Sequence, residues 1–389
     1  MKGAQHQMNS TLHTSAAAVD WPATPDGDYA RRFLSPLLEE GTAAFVANVA
    51  TAMQIVRVGA VTLPITVGPP ASTTTGYVAS PFNQYVTYAG EEMRELRRPV
   101  AVGAARLLLQ LAGGWLQRAQ IDQTVMINNW LLSTNLYPVA QRAEIDAVHR
   151  LLLAHFPAHT LLWRSVDGQA NPGLLAQLQA LGYRPIFSRQ IYYQDVRNPE
   201  LLRKKQVKID LAKLRKSTYR LLTHEEIPPA ALPRLKALYD DLYLRKYSFH
   251  NPQFTHRFFA HMHAERLLEL RALAANREID GILGYFSRTG ASGLVQTQPL
   301  FGYDTGLPQE AGLYRLLSTQ TLLEGAANHR LIHASAGVGP FKRLRGGVGA
   351  IEYNLVYDRH LPAGRRRPWR FLEWLSHRVV IPLVVKLGV

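Results

Sequence analysis

The stretch SGLVQTQPLFGYDTGLPQEAGLYRLL, residues 292–317, changes character twice. Its first half has the composition of a strand ending near Tyr303, a loop with Gly306 and Pro308 follows, and a helix is predicted from about Gly312. The first turn of a helix offers unpaired backbone N–H groups and a positive dipole end, which suit a phosphate. Gly312 permits close backbone approach, and Arg315 adds charge one turn later. The order strand, loop, helix therefore predicts an anion site here, and an ordinary loop is an equally good interpretation of the local residues.

A second glycine-rich stretch, HASAGVGPFKRLRGGVGAIEY, covers residues 333–353 and lies between two predicted strands. Lys342, Arg343 and Arg345 crowd together in it, and such crowding is costly unless an anion is nearby. Arginine contacts phosphate in a bidentate way, lysine acts as a point charge, and glycine-rich loops expose backbone amides to anions. We therefore predict a basic turn between the last two strands that faces the anionic group of a substrate.

The length, composition and charge of the chain exclude some kinds of site and predict the number of domains, the compartment and the class of partner. The chain has 389 residues and no cysteine, which excludes thiolate nucleophiles, thiolate metal sites and disulfides. At roughly 100–200 residues per domain, the length predicts two domains. No apolar secretory segment and no run of about 18 apolar residues is found, so we expect a cytoplasmic protein. Lys and Arg exceed Asp and Glu by 44 to 29, a net charge of +15 that favours polyanionic partners.

The pattern of elements predicts an α/β chain in five segments. They are a disordered lead-in (1–27), an N-terminal domain (28–197), a basic connector (198–217), a C-terminal domain (218–362) and a tail (363–389). Residues 203–220 hold eight basic residues against one acid, which indicates either a solvated helix face or a polyanion contact. The three histidines of FTHRFFAHMH do not share one helix face, so we predict no metal site.

The tail combines arginines, tryptophans and a short apolar run in RRRPWRFLEWLSHRVVIPLVVKLGV. The run VVIPLVV is too short to cross a bilayer and contains Pro382. Basic residues next to tryptophan suit the lipid–water interface, so residues 365–389 predict peripheral membrane contact. The alternative is a terminal helix packed on the protein's own core.

The order strand–QEAG–helix–strand–small turn–strand resembles the GNAT acyltransferase superfamily. In that family a Gln/Arg-x-x-Gly-x-Gly/Ala loop binds the pyrophosphate of acyl-CoA; Gln309 and Gly312 match it, and Tyr314 stands where Gly or Ala is expected. The strand HTLLWRSVD, then Asn171 and a helix ending in LGY, resembles the same pattern without a phosphate loop. The resemblance covers residues 40–362 and implies two tandem GNAT-like domains, each a mixed, mostly antiparallel sheet flanked by helices, of the kind found in Fem-type aminoacyltransferases.

The resemblance implies direct N-acyl transfer: an amine attacks the donor carbonyl without a covalent enzyme intermediate. Backbone N–H groups around residues 297–300 are expected to bind the oxyanion. The expected catalytic residues are Asp304, Tyr303, Lys342 and His333. The lysine is matched loosely to one that the Fem-type enzymes carry in this domain, and for the other three a structural role is the favoured interpretation. The expected donor-binding residues are Gln309, Gly312, Tyr314, Arg315, Arg343 and Arg345.

The resemblance leaves the donor open. Acyl-CoA or an acidic acyl carrier protein is the first expectation for the co-substrate, with no permanently bound cofactor, and the acceptor is an amine-bearing small molecule or peptide. The basic connector favours a second possibility, aminoacyl-tRNA. A third is a non-catalytic membrane- or RNA-binding module, which the departure at Tyr314 keeps open.

Overall fold

The computed structural model describes residues 10–70, 72–92 and 112–387. Within them the strands are β1 (Ser10–His13), β2 (Ala52–Val58), β3 (Val61–Val67), β4 (Thr124–Ile127), β5 (Thr160–Asp167), β6 (Arg184–Asp195), β7 (Arg220–Leu222), β8 (Glu269–Ala275), β9 (Glu278–Gly290), β10 (Gly293–Tyr303), β11 (Leu331–His333) and β12 (Val348–Tyr357). The α-helices are α1 (Pro25–Glu40), α2 (Ala89–Glu92), α3 (Arg142–His155), α4 (Pro172–Ala180), α5 (Glu200–Arg203), α6 (Lys205–Lys216), α7 (Leu232–Asp240), α8 (His256–Ala264), α9 (Leu313–Ala327), α10 (Gly339–Leu344), α11 (Ala363–Leu375) and α12 (Ile381–Leu387). Residues 112–118 are also helical. Wider π-helical turns precede α2 (Asn83–Tyr88), follow α7 (Asp241–Tyr247) and follow α11 (Ser376–Val380).

All the named strands form one sheet in the order β1-β2-β3-β4-β5-β12-β6-β11-β10-β9-β8-β7. Each half supplies five strands in chain order from its own edge, and the last strand of each half crosses over: β12 pairs with β5, and β6 pairs with β11. The two exchanged strands pair with each other at the centre. Neither half can therefore complete its sheet without the other.

The two halves repeat one arrangement. In each of them a single parallel pair, β4 with β5 and β10 with β11, is connected through a helix, α3 or α9, and the other described strand pairs are antiparallel. A parallel pair needs such a crossover, because a tight turn reverses the chain direction. The predicted fold class, a mixed and mostly antiparallel sheet flanked by helices, is confirmed. The domain boundaries stay a prediction.

Two sequence-based expectations are wrong. The strands on either side of the basic stretch, β11 and β12, do not pair, because β6 lies between them, and the predicted turn is the helix α10. The lead-in is not disordered over residues 10–27: Ser10 pairs with Val58 across β1 and β2, and α1 begins at Pro25. An exposed polar composition hid this edge strand, whose stability comes from its partner β2. Residues 1–9 lie outside the described part.

The parallel pair of the second half opens into a cleft. β11 pairs with β10 only from Leu331 to His333, and beyond that point the chain turns to β6, where Ala334 N–H donates to the Tyr192 carbonyl. On β10 the register shifts between Thr297 and Leu300, a bulge that takes Gln298 and Pro299 out of the ladder with β9. The two strands therefore separate at the end where α9 begins.

The corresponding opening in the first half is filled by the chain itself. After β4, residues 128–137 fold into the space, and most of them are buried. Asn129 accepts a hydrogen bond from the buried Arg164, and the backbone N–H of Trp130 donates to Asn135. Residues 128–137 therefore occupy the place in the first half that corresponds to the cleft of the second half.

The tail packs on the sheet. Trp369 and Leu372 of α11 are buried in a cluster with Ile186 and Val356, and Trp369 Nε1–H donates to Thr160. No helix in the described ranges is long and apolar enough to cross a membrane.

Candidate functional site

A cavity of about 270 Å³ lies where β10 and β11 separate, and both halves line it. Seven aromatic rings lie in its wall, with cations at the α10 side and a carboxylate from the first half. The side chains that define it are Tyr77, Tyr88, Glu91, Arg189, Tyr243, Tyr247, Gln298, Phe301, Tyr314, Phe341, Lys342 and Arg345, joined by residues 334–338. Aromatic walls with a few polar groups are typical of small-molecule sites.

Lys342 is a buried cation in the cavity wall, with only 7% of its surface exposed. Its Nζ donates to the carbonyls of Ser335, at 3.2 Å, and Ala336, at 2.7 Å, and no carboxylate within residues 10–70, 72–92 and 112–387 pairs with it. Burial, with the repulsion of the nearby Arg189 guanidinium, lowers its pKa to about 7. An ammonium has three donors, and these carbonyls take two, so one donor remains for a ligand. Lys342 therefore reaches the cavity as a cation that can also exist neutral near pH 7.

Arg189, also in the wall, is held by Glu352 through two hydrogen bonds of 2.9 and 3.0 Å. Burial alone would raise the pKa of Glu352, but the Arg189 guanidinium and the neighbouring His333 lower it to about 2. His333 Nε2 lies 3.8 Å from a Glu352 oxygen, and its Nδ1 accepts from the Ser335 backbone N–H. His333 is thus an internal partner of this pair; it fixes the backbone that Lys342 contacts and does not line the cavity.

The first half contributes a carboxylate, Glu91 of α2. Ser248 Oγ donates to it, and His250 Nε2 lies 3.8 Å from its other oxygen. Its side chain is 29% exposed, so it is accessible to a ligand in the cavity. A carboxylate there can receive the proton of an amine or bind an ammonium.

The candidate phosphate loop takes the predicted place before α9. Gly312 has φ +67°, a left-handed conformation, and a Cβ there would overlap Lys213 Nζ, which donates to the Glu310 carbonyl. Gln309 is exposed. The Tyr314 ring packs at 4.9 Å from the Phe341 ring and enters the cavity wall. The loop therefore has the expected backbone, with an aromatic ring over its first helical turn.

Two of the expected donor-binding arginines are occupied by an internal acid. Asp210, the single acid of residues 203–220, is 2% exposed and accepts from Arg315 Nε at 3.0 Å and from Arg345 Nε at 2.5 Å. Arg345 also lies over the Phe341 ring, 3.3 Å from its centroid. These contacts hold Arg345 in place in the cavity wall, while Arg315 lies outside the cavity lining.

The remaining expected residues lie apart from the cavity. Asp304 accepts from Arg234 at 2.8 Å and from the Gly306 N–H, and the hydrogen bond from Arg234 lowers its pKa. Tyr303 contacts Lys246. Arg343 is exposed and donates to the Tyr192 hydroxyl at 2.8 Å. Of the ten expected residues, the cavity brings together Lys342, Tyr314 and Arg345.

Sequence reasoning missed Arg189 and Glu91. Arg189 stands in an alternating strand with no local feature that separates it from a surface arginine, and Glu91 precedes a segment outside the described residues. For the bulge residue Gln298 the sequence did point to a functional role, because the expected oxyanion site covered residues 297–300. Gln298 does line the cavity. Among the described residues no cluster of histidine and acidic side chains has the arrangement of a metal site.

A second, more open depression of about 600 Å³ lies near β6 and α5. Its arginine, Arg203, is paired with Glu200, and its aspartate, Asp195, with Arg197. Because these charges are internally satisfied and exposed, the smaller cavity at Lys342 is the better candidate.

No protein-family model matches the sequence, and no curated protein does either. Similar solved structures include the C-terminal domain of a candidate lysylphosphatidylglycerol synthetase from Agrobacterium fabrum, at 12% identity and a TM-score of 0.44, covering 62% of this chain and 81% of that one. FemX is similar at 9% identity and a TM-score of 0.42, with 60% and 80% covered. A tandem GNAT protein from the clavulanic acid biosynthesis pathway is similar at 12% identity and a TM-score of 0.40, and the similarity covers 91% of this chain and 100% of that one. The predicted tandem GNAT-like and Fem-type resemblance is one of fold.

Proposed function

We propose that the protein is an N-acyltransferase that moves an acyl group from a carrier thioester to an amine in the cavity between the two halves. One observation carries the proposal: Lys342 is buried in the wall of the cavity that the bulge residue Gln298 also lines, pairs with no carboxylate among the described residues, and keeps one donor for a ligand. A structural lysine at this depth is expected to have a carboxylate partner. A lysine that acts on a carbonyl oxygen or a leaving group needs that donor free.

The residues suggest a direct transfer. The amine nitrogen attacks the thioester carbonyl carbon, and a C–N bond forms as the negative charge moves to the carbonyl oxygen. The Lys342 ammonium and the backbone at the bulge face that charge. The C–S bond then breaks, the amine proton passes to Glu91, and the leaving thiolate takes a proton from Lys342. The products are an amide and a free thiol.

The donor is proposed to be acyl-CoA or an acyl carrier protein, with its phosphates at the start of α9. A specific observation favours a second candidate, an aminoacyl-tRNA, whose ester would lose a ribose hydroxyl. The connector helix α6 and its flanks expose a row of cations: Lys204, Lys205, Lys208, Arg215 and Lys216. Two further arginines near its ends, Arg203 and Arg220, pair with Glu200 and Glu226. An acidic carrier protein suits this row as well, so the donor must be tested directly.

The test presents acetyl-CoA, a long-chain acyl-CoA, the same acyl groups on acyl carrier protein, and charged tRNA, each with a panel of amino acids and short peptides. Release of the free carrier and the mass increase of the amine are measured together. Amide formation with one donor class supports the proposal and names the donor. Release without amide in every case, or no release at all, overturns it.

Glu91→Gln should lower the rate of amide formation by about 10²-fold, a usual effect of removing a general base. The reason is that the amide side chain accepts no proton from the attacking amine. The rate is compared at several pH values, because a more basic medium supplies more neutral amine and should recover part of the loss. Glu265→Gln, an acid outside the cavity lining, is the control. An unchanged rate in Glu91→Gln would remove Glu91 from the mechanism.

Tyr314→Gly should tighten the binding of coenzyme A at least several-fold, because it restores the small residue of the resembled loop and uncovers the first turn of α9. Calorimetric titration with coenzyme A measures the change. Tyr314→Phe keeps the ring and should bind as the natural protein does. Weaker binding in the glycine variant would show that the ring itself contacts the donor.

A further inference from the structure

We propose that the exposed face of the C-terminal helices binds the surface of an anionic phospholipid bilayer. One side of α11 is buried at Pro368, Trp369 and Leu372, and Ser376 continues this buried side into the π-helical turn. On the other side Trp374 is 55% exposed, and Phe371, whose ring meets the Trp115 ring edge-on at 5.8 Å, is 37% exposed. α11 therefore has one side that packs on the core and another side that is available to a membrane, so the two alternatives predicted from the sequence do not exclude each other.

The free face continues past the π-helical turn at Ser376–Val380 into α12. Val379, Leu383 and Val385 are 44%, 48% and 62% exposed. The Phe371 and Trp374 rings stack on each other at 6.2 Å. Paired aromatic rings followed by aliphatic side chains match the headgroup–acyl boundary, where indole is favoured.

The charge of this face selects the partner. Exposed cations flank the apolar side chains at Arg367, Arg370, Arg378 and Lys386. The single acid of residues 363–387, Glu373, accepts from Arg184 and is thereby neutralised. A basic helix face with tryptophan is complementary to an anionic lipid surface, which attracts lysine and arginine side chains. An acidic protein groove would match the cations, but it would give the exposed aliphatic side chains of α12 no apolar surface to contact.

The buried side of α11, opposite the face, packs on the segment that leads to the cavity wall. The Trp369 ring lies edge-on to the Tyr85 ring at 6.3 Å, and the segment that carries Tyr85 continues to the cavity residues Tyr88 and Glu91. No residue of the face lines the cavity. The membrane proposal and the transferase proposal can therefore fail independently.

The test is co-sedimentation of the full chain with vesicles of phosphatidylcholine alone and of phosphatidylcholine mixed with phosphatidylglycerol. We expect binding to the mixed vesicles only, weakened by high salt because the charges are exposed. The double variant Phe371→Ser with Trp374→Ser should bind at least about tenfold more weakly, since it removes the inserting rings. Phe371 also contacts Trp115, so the single variant Trp374→Ser, at a side chain that is 55% exposed, is measured beside it. The single variant should also bind more weakly while its melting temperature stays that of the natural protein.

The matched control reverses charge on another exposed basic surface, with Lys205→Glu and Lys208→Glu on α6. It should leave vesicle binding unchanged. Loss of binding in this control, equal binding to both vesicles, or none to either would overturn the proposal. Light scattering tests the alternative that the face binds a second copy of the chain. If the natural protein is a dimer that does not bind vesicles, and the serine variant is a monomer, the face is a dimer interface and the membrane proposal is wrong.

Discussion

Lys342→Met should lower kcat/KM for amide formation by about 10²–10³-fold, the usual cost of losing one donor to a developing oxyanion. Methionine keeps the apolar stem of the lysine and removes only the nitrogen, so the cavity wall remains filled. The variant is assayed with the donor and amine that the carrier panel identifies. Tyr303→Phe, a change outside the cavity lining, is the matched control and should retain activity. Loss of less than about threefold in the methionine variant would contradict the assigned role.

Lys342→Arg separates a cationic role from a basic one. Because the pKa of Lys342 is about 7, the natural enzyme should lose rate as the pH rises through that value if the ammonium is the active form. Arginine stays charged at all accessible pH values, so its variant should be slower but without this alkaline decline. A decline at the same pH in both proteins would assign it to another group.

The same lysine makes a prediction about stability that needs no substrate. The pKa of Lys342 is about 10.5 in the unfolded chain and about 7 in the folded chain. Between these values the unfolded state binds more protons, so the lysine's contribution to the free energy of unfolding increases as the pH rises. Lys342→Met should therefore gain most relative to the natural protein below pH 7, and the gain should vanish towards pH 10.5. Urea unfolding across this range measures it; a difference independent of pH would contradict the low pKa.

Asp210→Asn should lower the free energy of unfolding by about 3–5 kcal/mol, because it leaves a buried arginine without its carboxylate. Arg345 is 4% exposed and Arg315 is partly buried, and both point at this one side chain. α6, α9 and α10 meet at this aspartate, so the cavity wall should loosen with it. Chemical unfolding followed by circular dichroism measures the loss.

The control for Asp210→Asn is Glu200→Gln, on the helix just before α6. Its partner Arg203 is 67% exposed, and exposed ion pairs contribute little. The glutamine variant should unfold at the same urea concentration as the natural protein. Similar small losses in both variants would show that Asp210 is not the anchor of the three helices.

The strand–loop–helix of residues 292–317 follows from local chemistry. β10 ends at Tyr303, Gly312 takes the left-handed conformation, and α9 begins at Leu313, close to the predicted positions. Strand preference, turn residues and helix starts depend on neighbours in the chain, so a local pattern was enough to predict them. The same reasoning holds for the mixed sheet as a class.

The roles of the basic residues were not open to that reasoning. Lys342 and Arg345 stand three positions apart in one cluster, yet one faces the cavity and the other pairs with Asp210, 135 positions earlier. A charged group takes its pKa and its partners from whatever is folded against it, and sequence distance does not report that. The crossing of β6 and β12 has the same origin, since strand pairing is decided between distant segments.

By itself, then, the sequence determined β10, the start of α9, the loop between them and the mixed sheet as a class. The tertiary structure decided that the halves exchange their last strands, that residues 128–137 are mostly buried after β4, and that Lys342 lies in the cavity wall with no counter-charge from the part of the chain that the structure describes. The physical reason is that backbone preferences act over a few residues. Burial and electrostatic pairing act through space, and they become defined only when the whole sheet has closed.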